Sequence, residues 1–186
     1  NMVQVVKLVI LASVSCVFLG CASSPKESKA TAGDTALYSV PSNWEIVDER
    51  DGSVYQANLR NNAGAGRMLI GRLALKADIS ESETYLFKLH NQLVDKLRGE
   101  VDVAPFSEER LAWMNGVVGY RTRMRGELDR KVVIYEGIAL TDGKHAYFHY
   151  GMFPEDVYAT EREAYSQVLE SLAPIRGAQR QNNVGL

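Results

Sequence analysis

Titratable and nucleophilic side chains, by type and spacing, set the chemistry that this chain can attempt. His145 and His149 stand four residues apart. On a strand they share a face, but their Cα atoms lie ~13 Å apart. Two ligands of one zinc ion, each ~2 Å from the metal, do not easily bridge that gap. His90 falls inside an apolar helical stripe, the place of a helix–sheet contact rather than of a ligand. No Gly-x-Ser-x-Gly elbow occurs, and the serines gather where caps and a polar tether account for them. Gly64-Ala65-Gly66 lacks the Lys-Ser/Thr ending of a phosphate-binding loop and no helical pattern follows it. Asp48-Glu49-Arg50-Asp51 runs into the turn pair Asp51-Gly52 without calcium-loop spacing. These residues predict no catalytic group, no metal site and no cofactor.

Two features call for more. Arg121, Arg123 and Arg125 alternate, so a strand places all three on one face about 7 Å apart, with Arg130 and Lys131 at the nearby turn. Such a stripe suits anionic lipid headgroups or an acidic partner. The alternative is a row whose counter-charges are Glu127 and Glu136. Buried without partners, each cation would face a desolvation penalty, so the three must be exposed or individually paired. Tyr147, Phe148, Tyr150, Phe153 and Tyr158 crowd one short region and mark a strand covered on both faces. They line a core or, alternatively, an apolar pocket.

Cys21 carries a different chemistry. It follows Val17-Phe18-Leu19-Gly20, which closes an apolar run from Leu8 to Leu19 behind a single Lys7. A charged start, an apolar run and small residues at its end describe a secretory signal peptide. The run is shorter than the ~20 residues that cross a bilayer. Gly20 directly before Cys21 resembles a bacterial lipoprotein signal, with Phe18 where Leu is usual. Ordinary signal-peptidase cleavage after Ala22 is the rival, since Gly20 and Ala22 also fit its small-x-small rule. The lipoprotein resemblance implies loss of residues 1–20, lipidation of Cys21 and a membrane anchor. For a Gram-negative source, Ala22 in the next position, rather than Asp, implies by the same resemblance an outer-membrane address facing the periplasm. Cys16 leaves with the signal, so the mature chain forms no internal disulfide and depends on its core.

The elements behind these residues follow from pattern. Residues 22–36 are small, polar and aperiodic, a flexible tether spanning ~20 Å on average. A single domain of residues 37–176 and a loose polar tail of 177–186 complete the chain. With 24% charged residues and a formal net charge of −2, the composition lacks the basic excess of a nucleic-acid binder. Tyr38 to Val40, Trp44 to Val47, Ser53 to Leu59 and the half-buried Met68 to Ala77 read as strands. Ser80 and Glu83 form a capping box for a helix whose Leu86, Leu89, Leu93, Val94 and Leu97 share a stripe, ended by Gly99. Glu108 to Met114 and Val117 to Arg125 flank the turn Asn115-Gly116. Lys131 to Thr141 and Lys144 to Phe153 flank Asp142-Gly143. Thr160 and Glu163 cap a last helix with Ala164, Tyr165, Val168, Leu169 and Leu172 on one face. The order predicts an α+β domain with helices on an antiparallel sheet.

Several of these segments carry a family resemblance: Tyr38-x-Val40-Pro41-x-x-Trp44, Tyr85-Leu86, Asn115-Gly116-x-x-Gly119 and Val168-Leu169-x-Ser171-Leu172. Residues 36–176 resemble the PsbP-like group, which includes bacterial envelope lipoproteins of the DcrB type. The resemblance implies an α/β/α sandwich serving as a binding or accessory module, with no shared catalytic set. Address, tether and domain together predict a non-catalytic, membrane-tethered lipoprotein of the bacterial envelope. Its expected partner is another envelope protein or an anionic lipid. A carrier of lipid or small apolar ligand is the alternative and requires a cavity. A hydrolase assembled from dispersed residues requires convergent titratable groups in a cleft.

Overall fold

The computed structural model describes residues 37–52, 54–75, 82–100 and 104–181, the side chains of 82, 93, 96–100 and 104–106 excepted. The expected signal peptide, Cys21, the tether and Ser80 of the first capping box lie outside the described residues.

Seven strands run along the described chain. They are β1 (Trp44–Arg50), β2 (Val54–Asn61), β3 (Arg67–Ala74), β4 (Ala104–Ala112), β5 (Val118–Leu128), β6 (Lys131–Thr141) and β7 (His145–Pro154). Helix α1 (Ser82–Glu100) joins β3 to β4, and a 3₁₀ turn, Glu155–Val157, leads into α2 (Tyr158–Ser171). The sheet order is β1-β2-β3-β7-β6-β5-β4, with every neighbouring pair antiparallel. Two meanders therefore meet where β3 pairs with β7. The connection between them must travel from the middle of the sheet to its far edge, so α1 crosses one face.

Side-chain alternation divides the interior into two layers. On one face Leu86 of α1 packs with Ala139 and Ala146, joined by Leu75, Tyr120 and Phe148. On the other, Ala164, Tyr165, Val168 and Leu169 of α2, with Leu172 after it, pack on Ala57, Leu59, Met68, Ile70, Ile138, Leu140 and Phe153. Ile138 and Ala139 are neighbours on β6 and belong to different layers, as period-two geometry requires. The five positions expected on the inner face of α2 are all buried. The antiparallel α+β architecture is the one that the pattern of elements predicts.

Several local expectations are corrected. Tyr38 to Val40 is no strand. The Leu37 carbonyl accepts from the Ala173 N–H at 2.8 Å, and the Ser39 N–H donates to Ser171 Oγ at 2.7 Å, so this segment is tied to the end of α2. β3 lies inside the sheet and ends at Ala74; Met68 and Ile70, rather than Leu69, are its most buried side chains. α1 continues past Gly99 to Glu100. β4 starts at Ala104, four residues early.

Residues 126–128, expected in a loop, extend β5, because Asp129 (φ 50°) and Arg130 (φ 64°) make a tight two-residue hairpin turn. Around Asn115-Gly116 the loop is longer than two residues. The Trp113 N–H donates to the Val117 carbonyl at 2.9 Å, and Gly116 sits at φ 84°. Gly119 follows for a different reason: a Cβ there would meet the Ala139 carbonyl oxygen at 2.5 Å. α2 begins at Tyr158 behind Val157, with no side-chain cap, so the Thr160–Glu163 box is not used. The polar tail is held as far as residue 181. The Met114 N–H donates to the Gln179 carbonyl and the Gln181 N–H to the Ala112 carbonyl, each at 2.9 Å.

The layer beneath α1 gives a direct test. Leu86 is fully buried and Lys88 is exposed. Leu86→Ala should cost about 2–5 kcal/mol, and Lys88→Ala less than about 0.5 kcal/mol. Urea unfolding reads both, and equal midpoints would refute the assigned face.

Candidate functional site

The arginine stripe lies where alternation puts it, on the α2 side of β5, and every member has a carboxylate partner. Arg121 Nη1 meets Glu109 Oε2 at 3.4 Å, and its Nε lies 3.4 Å from Glu136 Oε1. Arg123 Nε lies 3.3 Å from the same Glu136 oxygen. Arg125 Nε donates to Glu155 Oε1 at 2.7 Å. The side chains of Arg121 and Arg123 are only 10% and 18% exposed, while Arg125 is 56% exposed. Of the two alternatives for the stripe, exposure or individual pairing, the structure has the second. The row is not a set of free cations, which removes the premise for treating it as a docking surface. Of the two expected counter-charges, Glu136 serves.

Glu136 is the hinge of this cluster. Its side chain is 1% exposed, and its other oxygen accepts from the Tyr158 hydroxyl at 2.9 Å. Two guanidinium groups and one phenol thus surround one buried carboxylate. Removing the carboxylate would leave two poorly hydrated cations facing each other. Glu136→Gln should therefore cost about 3–5 kcal/mol, whereas Glu155→Gln, which breaks the exposed Arg125 pair, should cost under about 1 kcal/mol. Comparable denaturation midpoints for the two variants would show that the Glu136 cluster contributes nothing special.

The histidines separate widely. His145 Nδ1 sits 3.4 Å from Asp142 Oδ2 at the β6–β7 turn. His149 is 1% exposed and stacks on Tyr165, with ring centroids 3.9 Å apart and planes 8° from parallel. Neither ring nitrogen of His149 has a hydrogen-bond partner among the described residues. Burial first, then the nearby Arg121 charge, pushes its pKa down from 6.5 to about 3. His90, on the inner face of α1, has Nε2 2.6 Å from Thr122 Oγ1, and burial lowers its pKa to about 4. It is the helix–sheet contact that its place in the apolar stripe implies.

A hydroxyl beside an imidazole is half of a nucleophile–base arrangement. Thr122 and His90 are each only 2% exposed, and His90 Nδ1 has no orienting acceptor among the described residues. The pair is a buried structural contact. No group of three His, Cys, Asp or Glu among the described residues is placed to hold a metal ion.

Both depressed histidines act on stability in the same direction. The unfolded chain binds their protons below pH ~6.5, while the folded chain does so only near pH 3–4. Their contribution is complete above pH ~6.5 and is lost as the pH falls through that window. At pH 5 each costs about 2 kcal/mol. His149→Phe keeps a flat ring against Tyr165 and loses no hydrogen bond to the chain. It should remove about half of this acid-side loss when urea midpoints at pH 8 and pH 5 are compared. A variant as acid-sensitive as the parent would contradict the assignment.

One concave feature adjoins the α1 layer on the side of β4. Phe87, Asn91 and Asp95 of α1, at i, i+4 and i+8, line it with Glu108 and Glu109 of β4, and Tyr120, Arg121 and Thr122 of β5 complete it. Its volume is about 390 Å³. Phe87 is 44% exposed and packs on Tyr120 with ring centroids 4.9 Å apart. The Tyr120 hydroxyl donates to Glu83 Oε1 at 3.1 Å, and Arg110 Nε donates to the same oxygen at 2.8 Å. The Arg110 bond, first among these effects, holds the Glu83 carboxyl below the usual range. Sequence reasoning missed this groove. The legible signal was Phe87, an aromatic lying off the apolar stripe of its own helix.

Between α1 and the sheet a cavity of about 30 Å³ lies among His90, Val94, Thr122, Met124, Tyr135 and Tyr150. That is one water's worth of space, far below the ~300–1,000 Å³ of ligand pockets.

No protein-family model and no curated protein matches the chain. Solved structures do. The solution structure of cyanobacterial PsbP (CyanoP) from Synechocystis sp. PCC 6803 matches with a TM-score of 0.52 and 14% identity, over 72% of this chain and 83% of that one. PA94, a protein of unknown function from Pseudomonas aeruginosa, matches at 0.49 and 9% identity, over 67% and 85%. LpqN of Mycobacterium tuberculosis, involved in cell envelope biogenesis, matches at 0.37 and 10%, over 78% and 82%. The likeness to cyanobacterial PsbP establishes the fold as PsbP-like α+β, as the motifs imply.

Proposed function

We propose that this chain is a non-catalytic, membrane-tethered lipoprotein of the bacterial cell envelope that works by binding another envelope component. The observation that carries the binding role is the size of the cavity beneath α1: about 30 Å³, room for a water rather than for a lipid chain. The PsbP-like fold, which serves unrelated functions in different settings, is compatible with an accessory module. No described helix is long and apolar enough to cross a membrane, and the attachment in this reading is the Cys21 lipid. Each buried acyl CH₂ contributes about 0.8 kcal/mol, and more than one chain is needed for durable anchoring. Ala22 supports outer-membrane sorting, with the domain in the periplasm.

The anchor has a direct test. The mature protein should begin at Cys21 and partition into detergent, and Cys21→Ala should move it to the soluble fraction. A Cys21→Ala variant as membrane-bound as the parent would end the lipoprotein reading. Binding is tested by capture from native membranes with the lipidated protein as bait. Recovery of the bait alone under mild detergent would count against an accessory role.

A further inference from the structure

We propose that residues 182–186, which lie outside the described residues, pair with the outer edge of β4 and add a further strand to the sheet. The inference goes beyond the envelope-binding reading and does not depend on it. β4 ends the sheet order, so one of its edges has no described strand beyond it. The chain returns to that edge within the described residues. Trp113, just past β4, makes an antiparallel bridge with Arg180. The Met114 N–H donates to the Gln179 carbonyl and the Gln181 N–H to the Ala112 carbonyl, each at 2.9 Å. Arg180 Nη2 also pairs with Glu109 Oε1, farther back along β4, in the direction in which the pairing would continue.

Register and hydrogen-bond parity carry the pairing forward. Along a strand the N–H and C=O of successive residues point to alternate sides. The Ala112 carbonyl points outward to the tail and the Trp113 N–H inward to Val117, so the backbone groups of Arg110 and Glu108 also point outward. Continued from Trp113↔Arg180, the register sets Asn182 opposite Leu111, Asn183 opposite Arg110 and Val184 opposite Glu109. Gly185 then falls opposite Glu108, and Leu186 opposite Ser107. Five residues at ~3.4 Å each cover ~17 Å. They reach the point where the β4 register shifts, between Pro105 and Ser107. The side-chain pattern agrees, because opposite residues share a face. Val184 and Leu186 join the side on which Leu111 and Trp113 are buried. Asn183 and Gly185 join the side on which Arg110 and Glu108 are exposed. Such a strand closes an edge that would otherwise be a template for pairing with another chain.

Hydrogen exchange of the full-length chain in nonionic detergent micelles, read amide by amide by NMR, tests the pairing. The Arg110 and Glu108 N–H groups should exchange at least roughly tenfold more slowly than in free peptide. Asn183→Pro removes an N–H that faces β4 and should return both amides to near the free-peptide rate. Asn182→Pro removes one that faces away from β4 and should leave them protected. The Ile138 amide, inside the sheet, should exchange equally slowly in all three proteins, which shows that the variants fold. Unprotected Arg110 and Glu108 amides in the parent would overturn the assignment, and so would equal losses with the two proline variants. Protection that rises with protein concentration would give the edge to a second copy of the chain and would likewise overturn it.

Discussion

From Val133 to Thr141 every residue of β6 is buried in one of two layers, and much of the domain is arranged around that commitment. Glu136, Ile138 and Leu140 face the α2 side, while Tyr135, Gly137 and Ala139 face α1. A strand buried on both faces has no neutral position, so each residue must suit the layer that it enters. The small residues show this. Gly137 lies opposite Tyr150, whose ring would sit 2.7 Å from any Cβ placed there. The two helices can approach the sheet from opposite sides because β6 alternates small or aromatic residues toward one and aliphatic residues toward the other.

On β6 charge enters the buried stretch at Glu136, and its position explains how it is tolerated. Glu136 pairs across the ladder with Arg123 on β5, one strand away from the apolar patch under Val168 and Leu169. There the guanidinium groups of Arg121 and Arg123 keep 10% and 18% of their side chains exposed, and Arg125, farther along, is mostly in water. The row thus grades from sequestered to solvated. The sequestered end is held by a shared carboxylate, the arrangement that limits the desolvation cost of buried cations. His149, against the same cluster, copes with its surroundings differently, by staying neutral.

The architecture was readable because it depends on period and punctuation. The 3.6-residue stripe of α1, the face of α2 and the alternation along β5 are direct consequences of burial on one side. What the pattern could not show was pairing between distant segments. Tyr38 to Val40 has strand composition, yet its backbone bonds go to Ser171 and Ala173. Arg121 to Arg125 reads as a basic stripe, yet its partners come from β4, β6 and the 3₁₀ turn, up to 30 residues away. Residues 126–128 read as loop because Gly126 suggests a break; the real turn begins three residues later, where Asp129 and Arg130 accept positive φ. Face and period are local properties, whereas counter-charge and backbone partner belong to the assembled fold.

The groove follows from a mismatch of widths. Seven strands spaced ~4.8 Å apart span ~29 Å from edge to edge, and a helix with its side chains is only ~10–12 Å across. One helix on this face cannot cover the sheet, and α1 packs on β5 and β6. Near β1 and β2 the uncovered face carries polar pairs: Arg60 Nη2 with Glu45 Oε1 at 2.5 Å, and Asn58 Nδ2 with Asp48 Oδ2 at 3.5 Å. Such pairs meet their own hydrogen-bonding needs and ask for no partner. On the β4 side the same geometric surplus is lined instead by Phe87, Tyr120 and a carboxylate without a cation. Two strips left open by one helix thus have opposite character. The strip near β1 and β2 meets its polar needs within the chain, while the β4 side leaves the Phe87 ring and Glu108 facing solvent.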